Sequence, residues 1–241
     1  MNSSTLEKIK AMKFSGMLRA FQASMETRQN EKLTADEFIA YLVDQEWEYR
    51  QNKKISASLQ RARFRYPASL EDVKFTPSRN LDKNQLIRLT DCSFLDKKEN
   101  VIITGPTGVG KSYLASAIGH QACSLGYKVI YFNTIKLFTK LKMSKADATY
   151  QKEIRKIERQ DLLILDDFGL QPLDNMSRLA LLEIIEDRHG KKSTIITSQL
   201  PVSSWYELFE EKTIADAILD RIVHTSHRIE LKGESMRKKL N

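Results

Sequence analysis

Several things are scarce in this chain, and each scarcity excludes a class of protein. Its 241 residues hold only two cysteines, Cys92 and Cys123. They stand far apart and in no ligand pattern, so neither a disulfide framework nor a cysteine zinc site is expected. No apolar run approaches bilayer-spanning length, and the polar start Met1-Asn2-Ser3-Ser4 lacks the apolar core of a secretion signal. A membrane role drops out, and the expected setting is the cytoplasm. Internal repeats and low-complexity tracts are missing. So is the G-x-G-x-x-G spacing of a dinucleotide site. His224 and His227, three apart, have no third ligand in view, and His120 and His189 suggest no role.

What is present suffices for a full core. A hydrophobic fraction of 41% and a charged fraction of 29% are ordinary for a globular chain of this length. The net charge of +8, with a pI near 9.3, leans towards an anionic partner such as nucleic acid.

One stretch organises the rest. Gly105-Pro106-Thr107-Gly108-Val109-Gly110-Lys111-Ser112 fits G-x-x-x-x-G-K-[ST] at every fixed position. The β-branched run Val101-Ile102-Ile103-Thr104 before it suits a buried parallel strand, and Leu114, Ala115, Ile118 and Ala122 after it recur at helical spacing. Strand, loop and helix make a phosphate cradle. Glycines let the backbone wrap an anion, and inward amides at a helix N-terminus hold the phosphates of a nucleotide. Lys111 is expected at the β/γ-phosphates, the Ser112 hydroxyl on Mg²⁺, and Tyr113 beside the nucleotide.

The second half of the site lies downstream. Leu162-Leu163-Ile164-Leu165 ends in Asp166-Asp167, two carboxylates at the carboxyl edge of a strand, where open α/β sheets bind ligands. Asp166 is assigned to Mg²⁺ and Asp167 to polarising the attacking water. Thr194-Ile195-Ile196-Thr197 is another buried strand, and either Ser198 or Gln199 at its tip helps place that water. Val129-Ile130-Tyr131-Phe132 reads as a further strand, after a cap at Gly126. Strands alternate with helices throughout, which predicts a doubly wound parallel sheet with helices on both faces.

Residues 1–66 read as a small helical domain and 67–99 as a connector into the nucleotide domain, 100–241. The first helical stripe breaks at Ser15-Gly16, and Thr34-Ala35-Asp36-Glu37 has capping-box spacing. Between Arg50 and Arg65 the chain carries Lys53, Lys54, Arg61, Arg63 and Arg65 with no acid among them. This strip is read as a contact to DNA phosphates, with Phe64, Tyr66 or Trp47 available to stack; the alternative is a solvated helix face with the aromatics turned inward.

These motifs resemble the AAA+ ATPases and, within them, the IstB-like transposition helpers, relatives of the DnaC helicase loader and of DnaA. The resemblance covers nearly the whole chain. It includes Lys13 to Leu18, the helix from Glu37-Phe38 to Arg50, Gly105 to Ser112, Leu162 to Gly169, Thr197 to Pro201, Ala217 to Arg221, and Gly233 to Arg237. It implies ATP and Mg²⁺ as cofactors and an oligomer on duplex DNA; the lack of a base-reading motif predicts binding largely without regard to sequence, and Asp167 in place of the usual glutamate predicts slow hydrolysis. A transposase is the implied protein partner. By position it assigns Arg221 as an arginine finger acting on a neighbouring subunit and Arg237 as a sensor-2 arginine. An ion pair of Arg221 with Asp216 or Asp220, and a solvated tail at Arg237, are the bland alternatives. Two features depart from the AAA+ pattern: Asp167 stands where most members have glutamate, and the chain after Arg221 implies a truncated lid. A helicase loader and a small-molecule kinase are the rival functions.

Overall fold

The computed structural model describes residues 2–28 and 32–236, and it divides into two compact units, 1–57 and 58–241. Arg237 lies outside the described residues.

The first unit holds α1 (Asn2–Ala11), α2 (Ser15–Thr27) and most of α3 (Ala35–Ala62). The break between α1 and α2 falls before the expected Ser15-Gly16, at Lys13, whose φ of 61° is left-handed. Ser15 opens α2, and Gly16 lies inside it for a packing reason. A Cβ there would stand 2.4 Å from the Gln45 carbonyl oxygen of α3, so only glycine permits the approach. Glu46 of α3 accepts from the Gly16 and Met17 amides at 2.7 and 3.1 Å, satisfying donors that the first turn of α2 leaves unpaired. Burial works against the Glu46 charge. The Arg50 guanidinium and the two amides outweigh it and lower the Glu46 pKa. At the start of α3 the capping box forms, with the Thr34 amide donating to Glu37 and the Glu37 amide to the Thr34 hydroxyl.

The second unit is built on a five-stranded parallel sheet. In chain order come α4 (Lys83–Thr90), α5 (Ser93–Asp96), β1 (Asn100–Thr104), α6 (Lys111–Ser124) and β2 (Val129–Asn133). Then follow α7 (Thr134–Ala146), α8 (Tyr150–Glu158), β3 (Leu162–Phe168), α9 (Asn175–Arg188), β4 (Ser193–Ser198), α10 (Lys212–Val223) and β5 (Ser226–Glu230). The strand order is β2-β3-β4-β1-β5, with every neighbouring pair parallel. Continuous apolar strands require cover on both faces, and alternation divides the core accordingly. Val101, Ile103, Leu162 and Ile164 pack under α4, α5 and α6, whereas Ile102, Leu163 and Leu165 pack under α7 to α10. After β1 the chain crosses to the far edge at β2, and after β4 it crosses back past β1 to β5. The order therefore reverses around β1, and the crevice at the carboxyl ends of β1, β3 and β4 receives the site.

The second unit begins earlier than the sequence suggests. Ala62 is buried in its core, with Leu59, Phe64 and Tyr66 packed against that core, and Ala68, Val73, Leu81, Leu86, Leu89 and Phe94 belong to the same cluster. The segment 67–99 therefore belongs to this unit and contributes to its hydrophobic core. Among the described residues, no helix is long and apolar enough to cross a membrane.

Candidate functional site

Gly105, Gly108 and Gly110 each take positive φ, and the loop they bend leads from β1 into α6. At Gly108 the requirement is also steric, since a Cβ would fall 2.1 Å from the Ser235 hydroxyl. The Met236 amide donates to the Gly108 carbonyl at 3.0 Å, so residues 235 and 236 lie against the loop. Lys111 is buried, and its Nζ donates to the Gly105 and Pro106 carbonyls at 2.7 and 2.8 Å. Its ammonium is thus held inside the curve of the loop.

The acid pair is shaped by an irregular strand end. In a regular strand neighbouring side chains point to opposite faces, which would separate Asp166 from Asp167. Here the β3–β4 ladder slips between Leu165 and Phe168, and Asp167 takes a left-handed φ of 61°. Both carboxylates consequently reach one cation. Nη1 of Arg65 lies 3.3 Å from Asp166 Oδ2 and 3.0 Å from Asp167 Oδ2. A left-handed aspartate is a local strain of the kind that accumulates at functional sites.

Asp166 is fully buried and densely bonded. The Ser112 hydroxyl donates to its Oδ1 at 2.7 Å, the Thr197 hydroxyl donates to the same oxygen, and the Tyr131 phenol donates to Oδ2. Burial and the carboxylate together push the Tyr131 pKa far up, so the phenol stays a donor. Asp167 accepts from Asn133 Nδ2 at 3.0 Å, and its amide donates to the Thr197 hydroxyl at 3.1 Å. It lines a cleft of about 210 Å³ between α7 and residues 169–174. For Arg65, burial opposes the charge, while Tyr66 and the two carboxylates raise the pKa.

The tip of β4 separates its two candidates. The Ser198 hydroxyl donates to the Phe168 carbonyl at 2.8 Å, inside the sheet, whereas Gln199 accepts from the Thr107 hydroxyl at 2.7 Å and faces the loop. Thr197 belongs to the strand tip that the sequence places beside the phosphates; Tyr131, Asn133 and Arg65 were not singled out for this site. For Asn133 a signal existed: a polar residue at the carboxyl end of an otherwise apolar strand.

The basic strip divides in the structure. Lys53, Lys54, Arg61 and Arg63 are exposed. Arg65, expected among the DNA contacts, is instead engaged with the acid pair. Phe64 and Tyr66 are turned inward, against His120 at a ring separation of 4.4 Å and Tyr113 at 6.4 Å. Trp47 is 64% exposed.

Arg221 sits at the other end of the sheet. Asn100, the first residue of β1, donates through Nδ2 to the Arg221 carbonyl at 3.2 Å, whereas the phosphate loop follows the last residue of β1. The expected local partners of Arg221 were Asp216 or Asp220; its guanidinium instead lies 3.4 Å from Glu186 of α9 and donates to the Ala217 carbonyl.

A phosphate loop after β1, paired acids closing β3 and a polar tip on β4, in this strand order, define a P-loop protein of the AAA+ class. Comparison with known proteins narrows it. A family model described as IstB-like ATP binding protein matches residues 7–241. An insertion sequence ATP-binding protein of Sinorhizobium fredii is 44% identical over 97% of this chain and 96% of its own. The ATP-binding protein of insertion sequence IS21 from Pseudomonas aeruginosa is 31% identical over 90% of this chain and 82% of its own. Among solved structures, DnaI superposes with a TM-score of 0.59 at 26% identity, covering 73% of this chain and 94% of that one. DnaA bound to AMPPCP and single-stranded DNA gives 0.57 at 19%, over 73% and 53%, a likeness of fold. The chain belongs to the IstB-like ATP-binding proteins of insertion sequences.

Proposed function

We propose that this protein hydrolyses ATP and, in its ATP state, assembles on duplex DNA to assist the transposase of its insertion sequence. The observation that carries the reading is the position of Arg221. It lies at the amino edge of the sheet while its own phosphate loop lies at the carboxyl edge. Its cation therefore suits the site of a neighbouring copy, and an ATPase completed across an interface links hydrolysis to assembly.

The residues present fit ATP and Mg²⁺. The loop's backbone curve suits a phosphate chain, and the Ser112 hydroxyl and Asp166 carboxylate meet at 2.7 Å, an all-oxygen pair of the kind Mg²⁺ takes. Bound Mg²⁺ would neutralise charge on the phosphates and on the leaving oxygen. Lys111 would turn its ammonium from the loop carbonyls to phosphate. Asp167, open to the cleft beside α7, would orient the attacking water and draw off its proton, with Gln199 holding that water from the loop side. An aspartate is one methylene shorter than the glutamate usual at this position, which predicts slow turnover.

Lys53, Lys54, Arg61 and Arg63 supply exposed charge for sequence-independent binding, which grows with each phosphate neutralised and is multiplied across an oligomer. For a protein partner, Ile39, Val43 and Trp47 follow one another at four-residue intervals on α3, each more than half exposed. The relatives' names associate the family with insertion sequences, which favours a transposase over a replicative helicase as that partner.

The test is duplex binding with ATP, with ADP and without nucleotide, read by a sizing method that reports affinity and subunit number together. ATP-dependent oligomers on duplex DNA are expected. A monomer indifferent to duplex DNA in every nucleotide state would overturn the reading.

A further inference from the structure

Arg79 is 7% exposed. Among the described residues no carboxylate lies within salt-bridge reach of its guanidinium. The polar partners are two backbone carbonyls, Lys74 at 2.5 Å from Nη1 and Val109 of the phosphate loop at 2.9 Å from Nη2; Nε–H has none. A side chain built on Gly110, the residue before Lys111, would approach the same Nη2 to 2.9 Å. A fixed charge is thus buried against the loop, with two of its three nitrogens bonded and no counter-ion among the described residues.

Burying an unpaired ion is costly, and buried cations are ordinarily paired. The chain nevertheless fixes this one in place. The Arg79 amide closes a turn onto the Thr76 carbonyl, and the Arg79 carbonyl accepts from the Lys232 amide at 3.0 Å. Asn80 Nδ2 donates to the Glu230 carbonyl at 2.9 Å. Two segments far apart in sequence, 74–80 and 230–236, are thereby clamped together over the loop with the guanidinium beneath them. Desolvation lowers the Arg79 pKa, in keeping with a cation that no anion among the described residues offsets.

We infer that Arg79 is a second phosphate-binding cation of the loop, acting in the same subunit as Lys111, and that its missing counter-ion is the phosphate chain of the bound nucleotide. The inference rests on the ATP reading above. Its advantage to the protein is selectivity: an uncompensated charge disfavours the nucleotide-free loop and rewards an anionic ligand, so binding energy comes from relieving a buried cation.

The experiment compares wild type, Arg79→Lys and Arg79→Met by calorimetric titration with ATP and ADP and by melting without nucleotide. Arg79→Met is expected to bind both nucleotides about 10-fold more weakly or worse, the loss of one charged hydrogen bond. Its nucleotide-free melting temperature is expected to hold or rise, because a buried unpaired charge has gone. Arg79→Lys should keep part of the affinity. Duplex DNA binding without nucleotide should be equal in all three, which separates nucleotide phosphate from DNA phosphate. An Arg79→Met protein that binds nucleotide like wild type, or that no longer folds, would overturn the inference, the second by making the guanidinium a structural strut. Loss of DNA binding alone would overturn it too. Wild type that binds neither nucleotide would overturn the ATP reading and this inference with it.

Discussion

Asp166 and Asp167 share one guanidinium, and that sharing has a measurable consequence. Arg65 stands where a cation neutralises both acids, so on the proposed reading it would compete with Mg²⁺ for the same carboxylates. Arg65→Met leaves them with hydroxyl and amide donors alone. Mg²⁺ should then raise the melting temperature more in the variant than in wild type, and equal shifts would contradict the competition. Because Arg65 is 40% exposed, its own contribution to stability is small, about 1 kcal/mol or less. The phosphate loop and the acid pair were legible in the sequence because each is a contiguous pattern with a fixed chemistry. Arg65 and Arg79 were not. Arg65 meets Asp166 across 101 positions of chain, and Arg79 meets Val109 across 30. Nothing in the spacing of basic residues says which of them the fold will turn inward.

At the scale of elements, α2 and α3 pack closely at Gly16. In a solvated helix Gly→Ala is worth about 1 kcal/mol of added stability through propensity. Here the added Cβ would meet the Gln45 carbonyl oxygen at 2.4 Å and the Tyr49 Cβ at 2.7 Å, and overpacking of that kind costs about 1–3 kcal/mol. Gly16→Ala should therefore destabilise the N-terminal unit, seen as faster amide exchange in α2 and α3 and unchanged exchange in the sheet. Slower exchange in α2 would show that propensity wins. The sequence suggested a break at this glycine because glycine both interrupts helices and permits close approach, and a one-dimensional pattern cannot tell the two apart. The strands, by contrast, were readable: their apolar runs are long enough to demand cover on both faces, and the parallel sheet supplies it. The α3 boundary was harder. The proline after Tyr66 suggests helical backbone up to that point, but α3 already ends at Ala62, before Arg63 at a left-handed φ of 57°, and the change of unit comes earlier still, with Leu59 and Ala62 turned into the second core.

For the whole molecule, the proposed function assigns the two edges of the sheet different halves of one catalytic apparatus. The carboxyl edge holds the loop, the acids and Gln199, and the amino edge holds Arg221. Arg221 was assigned from family resemblance; its separation from its own loop emerges only when β1 is seen to lie between them. Loss of an arginine finger reduces turnover by about 10³–10⁵-fold in related chemistry, with nucleotide still bound. The most direct measurement is a mixing experiment. On the proposed reading, Arg221→Ala would keep the nucleotide site and lose the finger, and Asp167→Asn would keep the finger and lose the acid. Each alone, with duplex DNA, should bind ATP and turn it over barely above background. Mixed in equal amounts they should regain activity, because the finger of one subunit completes the site of the other. A mixture no more active than its parts, with both variants still assembling on DNA, would contradict the shared site and the account built on it.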